Sequence, residues 1–299
     1  MKIVDIDLNN PIEEIKNLKL CLGFFDGLHL GHKKIIDQAL QTGGNVGVMT
    51  FDLSPHIFLK KKDIYSSLTS LADKYDLLDS WGVKYLLILH TNKELLDLTR
   101  IEFIELILEK LNPEEIFCGV DYRFGKNEEG DINFLKLYFN VNALDLLRID
   151  DVKVSSTRII EEIKDGNVHF ASKLLGRLYS LHGLVVEGNK LGQTIGFPTA
   201  NLDLDFPYVL PKIGVYIGYA YFISRKRKAI ISISTHPTIK ELNKPLIEVH
   251  LIDFCEDIYG KSLEIEFVDY IRDIKKFDSL EDLKEQLIID RDYAIKVLP

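Results

Sequence analysis

The chain has 299 residues, which at roughly 150 residues per domain predicts two domains. Hydrophobic residues at 46% and charged residues at 28% exclude a disordered chain, and no apolar run approaches the roughly 18 residues of a membrane span. With 37 basic against 46 acidic residues the net charge is −9, which excludes a broad polyanion-binding surface but leaves room for a nucleotide pocket. The start, Met1-Lys2-Ile3-Val4-Asp5, turns acidic at once and lacks the apolar core of a signal peptide. Cys21, Cys118 and Cys255 are widely spaced without any C-x-x-C, so reduced thiols in a cytosolic protein are expected.

The first half alternates strand-like and helix-like segments. Lys19–Phe24 is a strand, Gly31–Leu40 a helix with Ile35, Ile36, Ala39 and Leu40 on one face, and Asn45–Phe51 a second strand. A polar stretch around Lys60–Lys62 precedes a helical pattern from Ser70 to Trp81. Tyr85–Leu89 reads as a third strand, Glu94–Leu111 as a long amphipathic helix and Glu115–Val120 as a fourth strand, followed by the loop Asp121–Asp131. This rhythm predicts βαβ units around a parallel sheet, a Rossmann-like α/β domain. After Ala171 the texture changes. Leu184–Glu187, Gly214–Phe222, Ala229–Ser234, Leu246–Phe254 and Leu263–Tyr270 are short and β-rich, and only Leu280–Leu298 has helix length. A closed β-barrel with a C-terminal helix is expected, with domains at 1–173 and 174–299. The basic run Arg225–Lys228 is expected at a solvated hairpin tip.

The richest ten residues are Gly23-Phe24-Phe25-Asp26-Gly27-Leu28-His29-Leu30-Gly31-His32. They lie where the first predicted strand meets the first helix, the usual ligand crevice of an open α/β sheet. Glycines there let backbone approach a ligand, and a helix start offers N–H groups to phosphate oxygens. His29 and His32, three apart, share one side of a helical turn and suit the charge that builds during phosphoryl or nucleotidyl transfer. A zinc pair would need a third His or Cys at metal-site spacing, which is absent nearby; two surface histidines capping a helix are the other alternative. Further on, Ser155-Ser156-Thr157-Arg158 precede a helix, where hydroxyls and an arginine suit phosphate or serve simply as an N-cap.

An H-x-G-H site followed by S-S-T-R resembles the nucleotidylyltransferase superfamily. Together with Gly119-Val120-Asp121-Tyr122-Arg123-Phe124-Gly125-Lys126 and Gly130-Asp131 it resembles the adenylyltransferase module of bacterial bifunctional riboflavin kinase/FAD synthetases. The second half follows in the same order. Gly196-Phe197-Pro198-Thr199-Ala200-Asn201 is similar to the kinase hallmark, Pro211–Tyr216 to its G-V-Y strand, and Ile247-Glu248-Val249-His250 to the strand carrying its catalytic glutamate. Strand alternation puts Glu248 and His250 on one face.

The resemblance implies a bifunctional transferase that phosphorylates riboflavin with ATP to FMN and joins FMN to AMP from a second ATP, giving FAD and pyrophosphate. It implies Glu248 as general base, His29 and His32 at the adenylylation site, and nucleotide contacts from Gly23, Phe24, Asp26, Gly27, Gly31, Ser155, Ser156, Thr157, Arg158, Gly196, Pro198, Thr199 and Asn201. Thr199 and Asn201 are expected to hold Mg²⁺, and Asp121, Phe124, Arg272 and Phe277 to face flavin. Expected partners are riboflavin, FMN and ATP, without nucleic acid or membrane, for a monomer or weak oligomer. The chain departs from the pattern in Leu53-Ser54 for Pro-His, Ile160 for Arg, Gln193 for Arg and Ser234 for Gly. These departures motivate a rival reading as a riboflavin kinase with a decayed adenylyltransferase half. A non-catalytic flavin-binding protein would be expected to lack Glu248 or the histidine pair.

Overall fold

The computed structural model describes residues 1–58, 66–188, 192, 195–223, 225–235 and 245–299. They form two compact units, Met1–Ser156 and Thr157–Pro299. Gln193, Lys60–Lys62 and His236–Thr238 lie outside the described residues, as does the side chain of His56.

The first unit is built on six parallel strands: β1 (Lys2–Ile6), β2 (Leu18–Leu22), β3 (Asn45–Phe51), β4 (Tyr85–Leu89), β5 (Glu115–Gly119) and β6 (Val141–Leu144). Their spatial order is β1-β4-β3-β2-β5-β6. Every residue of β2 is buried, because layers cover both faces of a parallel sheet and the strand is apolar apart from Lys19, whose ammonium pairs with Glu114 and Glu115 at 3.0 and 2.7 Å. Two apolar clusters result, one around Leu20, Leu87 and Ile107, the other around Phe25, Ile36, Val48 and Leu86. The chain runs β2, β3, β4 in one direction and returns to place β5 on the other side of β2. The switch point therefore lies between the C-terminal ends of β2 and β5, where open sheets hold their ligands.

Helix α1 (Leu30–Gln41) follows β2, and α2 (Leu71–Ser80) is started by a capping box in which Ser70 and Asp73 satisfy each other's backbone N–H. Two expectations change here. The predicted helix Glu94–Leu111 is broken: Lys93–Asp97 ends at Leu98, whose ψ is 124°. A new run then begins under a Thr99–Glu102 capping box and includes a π turn at Ile104–Leu108. Thr99-x-x-Glu102 is a start signal inside an otherwise continuous amphipathic pattern. Strands β1 and β6, absent from the sequence prediction, occupy the two edges, where half-exposed positions blur the apolar signal.

In the second unit α3 (Ser156–Lys164, whose first residue closes the first unit) and α4 (Val168–Leu175) precede the barrel. The Lys212 N–H reaches Ile163 O at 3.3 Å. The barrel comprises β7 (Tyr179–Val186), β8 (Ala200–Leu204), β9 (Gly214–Phe222), β10 (Arg225–Thr235), β11 (Pro245–Leu251) and β12 (Ser262–Arg272), closed in the order β7-β8-β11-β10-β9-β12. Closure leaves no sheet edge. Alternation sends Leu181, Tyr216, Ile231, Val249 and Phe267 inward, all at 0% exposure, each contributing roughly 1.5–3 kcal/mol of burial. The run Arg225–Lys228 is the start of β10, paired with Tyr219–Phe222 from the Phe222–Arg225 pair onward, so it lies in the strand at the tip end of the β9–β10 hairpin. Long basic side chains are accommodated there because their stems cover apolar surface: Lys226 Nζ sits 3.6 Å from the Tyr219 ring centroid. Helix α5 (Leu280–Val297) closes the chain, capped by Ser279.

Candidate functional sites

The loop after β2 is held in a conformation that few sequences adopt. Phe25 has φ 53°, Gly27 φ 77° and Leu28 φ 40°; the left-handed region costs a non-glycine residue roughly 1–2 kcal/mol. Several contacts offset that cost. The Phe25 ring is buried at 1% exposure and Leu28 at 0%. Asp26 Oδ1 accepts from Ser67 Oγ at 2.6 Å, Leu68 N at 2.9 Å and Thr69 N at 3.3 Å. The Gly27 N–H donates to Thr69 Oγ1 at 3.0 Å. Thr50 Oγ1 and Lys74 Nζ both donate to Phe24 O, at 2.7 and 2.8 Å.

This clamp orients the histidines. His29 caps α1, its Nδ1 accepting the N–H of His32 at 3.2 Å. The two imidazoles stack with centroids 3.6 Å apart and 15° between planes, and Phe25 meets His32 edge-on at 5.1 Å. Gly31 packs closely on the first histidine: a Cβ there would lie 3.1 Å from the His29 ring, which would have to shift to admit it. The second motif reaches the same loop, since Ser156 Oγ donates to Asp26 O at 2.8 Å across 130 positions of sequence. Two segments remote in the chain thus meet at the sheet's switch point. Asp26, expected as a nucleotide contact, uses its carboxylate to fasten the loop.

Other predicted residues fall as follows. Asp121, just past β5, pairs with Lys153 at 3.1 Å. Phe124 is in the core at 6% exposure, 5.4 Å from the Phe103 ring, and supports the loop Asp121–Asp131 from beneath. Arg158 engages Glu162, which is buried and also accepts from Asn167 Nδ2 at 2.9 Å. Thr157 is exposed. At the turn Asp52-Leu53-Ser54, Asp52 Oδ1 accepts the N–H of Thr91 at 2.9 Å. His90 bridges Asp52 and Asp5 at 2.9 Å each, and its hydrogen bond to Asp52 raises its pKa from 6.5.

On the barrel, Glu248 is directly opposite Asn201 on β8 and Ser232 on β10. Directly paired residues share a face, so these three lie together on the outside of the barrel while Val249 and Ile231 point inward. Asn201 is buried at 8% exposure. Gly188 makes room for it, because a Cβ on Gly188 would lie 1.8 Å from the Asn201 amide nitrogen. Thr199 is half-buried and Pro198 and Gly196 exposed. His250 shares the Glu248 face, with Nδ1 2.8 Å from Pro198 O and its ring 5.1 Å from Phe197; burial lowers its pKa. Arg272, at the end of β12, places its guanidinium on Asp290 of α5, and Phe277 is half-buried in the connection that follows.

Sequence reasoning missed Lys74, Thr50, Lys153, His90, Ser232 and Asp290. Only Lys74 left a trace: it lies three residues after Leu71 and four before Leu78, on the apolar stripe of α2, where a lysine breaks the pattern.

A riboflavin kinase family model matches residues 175–298 and an FAD synthetase model residues 12–158. The bifunctional riboflavin kinase/FMN adenylyltransferase of Bacillus subtilis (strain 168) is 34% identical over 295 residues, 95% of this chain and 93% of its own. That of Listeria monocytogenes is 36% identical over 281 residues, 91% and 89% of the two chains. A crystal structure from Streptococcus pneumoniae, described as a macrolide-efflux protein, matches with TM-score 0.90 at 32% identity over 98% of both chains. Among the described residues no helix is long and apolar enough to cross a membrane.

Proposed function

The chain belongs to the bifunctional riboflavin kinase/FMN adenylyltransferase family, and from that premise we propose which residues carry each of its two reactions. It is a transferase of flavin-cofactor biosynthesis that makes FMN from riboflavin and FAD from FMN. We assign adenylylation to residues 1–173 and phosphorylation to residues 174–299.

In the kinase reaction Glu248 takes the proton from the ribityl 5′-hydroxyl as that oxygen attacks the γ-phosphate of ATP. The observation that carries this reading is the ladder that sets Glu248 across from Asn201 on the outer face of the barrel. Thr199 and Asn201 would hold Mg²⁺, which supplies charge neutralisation at the ATP phosphates. Their neutral oxygens are hard donors, and the space left by Gly188 keeps the Asn201 amide in place. Gly196 and Pro198 shape the nucleotide turn. Arg272 and Phe277 stand on the flavin side, Arg272 by fixing α5.

In the adenylylation reaction the FMN phosphate is already an anion and needs no base. His29 and His32 stabilise charge on the reacting phosphates. Gly23, Phe24, Gly27 and Gly31 let the backbone approach the nucleotide, while Ser155, Ser156, Thr157 and Arg158 form the triphosphate motif. Asp121 and Phe124 belong to the flavin side, Phe124 as the floor of its loop. We place the protein in the cytosol as a monomer or weak oligomer, acting on small molecules without nucleic acid or membrane.

The test is purified protein with riboflavin, excess ATP and Mg²⁺, with flavins separated by chromatography over time. FMN should appear first and FAD after it. His29→Ala should stop the sequence at FMN. Glu248→Gln should abolish FMN formation, by roughly 10²–10⁴-fold for loss of a general base, yet still convert supplied FMN to FAD. FAD formation surviving in His29→Ala, or FMN formation surviving in Glu248→Gln, would refute the respective assignment.

A further inference from the structure

Lys74 is a lysine in the interior of the first unit, at 3% exposure, and no part of the two assigned sites accounts for it. Burying an ammonium is costly unless each N–H finds a partner. Here all three directions are used, and two of them end on one residue. Nζ donates to Phe24 O at 2.8 Å and to Thr50 Oγ1 at 3.2 Å, and it lies 4.2 Å from the centroid of the Phe24 ring, a cation–π distance. Thr50 in turn donates to the same Phe24 carbonyl at 2.7 Å. Phe24 is the residue immediately before the left-handed turn at Phe25, and His29, five positions after Phe24, caps α1. The ammonium therefore grips the loop where its backbone departs from the sheet.

We propose that Lys74 is a positioning residue for adenylyl transfer, its ammonium holding Phe24 by carbonyl and ring so that the loop presents His29, His32 and the start of α1 to the nucleotide. The inference rests on the assignment of adenylylation to the Gly23–His32 loop. A neutral side chain of the same length would fill the slot but leave the Phe24 carbonyl to Thr50 alone. Misplacement of a catalytic constellation by about 1 Å costs on the order of 10²-fold in rate.

The charge state of Lys74 supplies an independent readout. Burial lowers its pKa to about 8, opposed by the nearby Asp26. Among the described residues, the groups facing it are Asp26 from the loop and the uncharged Thr50 from β3, whereas Asp73, its neighbour on α2, is turned into the capping box with Ser70. The ammonium is present below about pH 8 and lost above it, so adenylylation falls on the alkaline side through that pH.

The experiment measures FAD formation from supplied FMN and ATP, with FMN formation from riboflavin on the same full-length chain as internal reference. Lys74→Met is expected to lower kcat for FAD formation by roughly 10- to 100-fold, to leave the kinase reaction unchanged and to remove the alkaline limb near pH 8. Its thermal unfolding temperature should not fall, because an apolar side chain replaces a desolvated charge. Thr50→Val, which removes the second donor to Phe24 O, should lower the same rate, and the two effects should not multiply in the double variant. Full FAD activity in Lys74→Met, or an unchanged alkaline limb, overturns the proposal. A drop in activity matched by a drop in unfolding temperature also overturns it, since Lys74 would then be structural only. His29→Ala run alongside separates the two readings: if that variant keeps its FAD activity, the loop assignment itself has failed.

Discussion

The pairing of Arg272 with Asp290 permits a quantitative test of what holds the C-terminal helix to the barrel. Arg272 Nε lies 3.1 and 3.0 Å from the two carboxylate oxygens and Nη2 lies 2.6 Å from Oδ2. Gln286 Nε2 adds a third donor and a fourth hydrogen bond at 2.9 Å. The side chains are 14% and 3% exposed, so water screens the pair little. Removing one partner from such a pair leaves a buried charge uncompensated and costs about 3–5 kcal/mol, whereas replacing both by apolar groups is often neutral or stabilising. Asp290→Ala should therefore lower the unfolding temperature of the second unit by roughly 10–20 °C. Arg272→Met with Asp290→Leu should restore most of it. The assay is urea and thermal unfolding followed by tryptophan-independent far-UV signal, with riboflavin affinity measured on every variant that folds. A single variant within about 0.5 kcal/mol of the parent, or a double variant no better than the single, would falsify the reasoning. Riboflavin binding lost in a stable double variant would assign Arg272 a direct flavin contact in addition to its hold on α5.

Other consequences are tested more simply. Asp26→Asn keeps the size of the side chain but weakens acceptance from Ser67, Leu68 and Thr69, so it should cost about 1–3 kcal/mol of stability and raise KM for ATP in FAD formation only. Gly188→Ala drives a methyl onto the Asn201 amide and should cut FMN formation at least tenfold, with FAD formation from supplied FMN unaffected. His90 and His250 have displaced pKa values that predict opposite pH trends. His90 is raised by its hydrogen bond to Asp52. Its stabilising contribution is full below 6.5 and is lost as pH rises through the folded value; it is small, because the side chain is 45% exposed. His250 is lowered by burial, so the unfolded chain binds the extra proton first and stability falls as pH drops below 6.5. Unfolding of His90→Gln and His250→Gln between pH 5 and 8 should each flatten the corresponding trend; a trend that persists in its variant rejects that histidine as the source.

Much of this protein was determined by local sequence. The strand cores Asn45–Phe51 and Tyr85–Leu89, the helices at Leu30–Gln41 and Leu280–Val297 and the change from α/β to all-β texture follow from periodicity, which acts within a few residues. The ten residues from Gly23 to His32 likewise stood out locally, as a glycine-rich strand-to-helix turn with two histidines three apart. What only the tertiary structure decided is which remote groups hold those residues. Lys74 and Ser67 fasten the loop from 40 to 50 positions away, Ser156 reaches it across 130, and Asn201 meets Glu248 only because β8 pairs with β11. The same holds for the burial of Phe124 against Phe103 and the pairing of Arg272 with Asp290. The broken helix at Leu98 and the edge strands β1 and β6 belong here too. Burial and pairing at these positions are set by the sheet order and barrel closure, and those are properties of the whole chain that no local window contains.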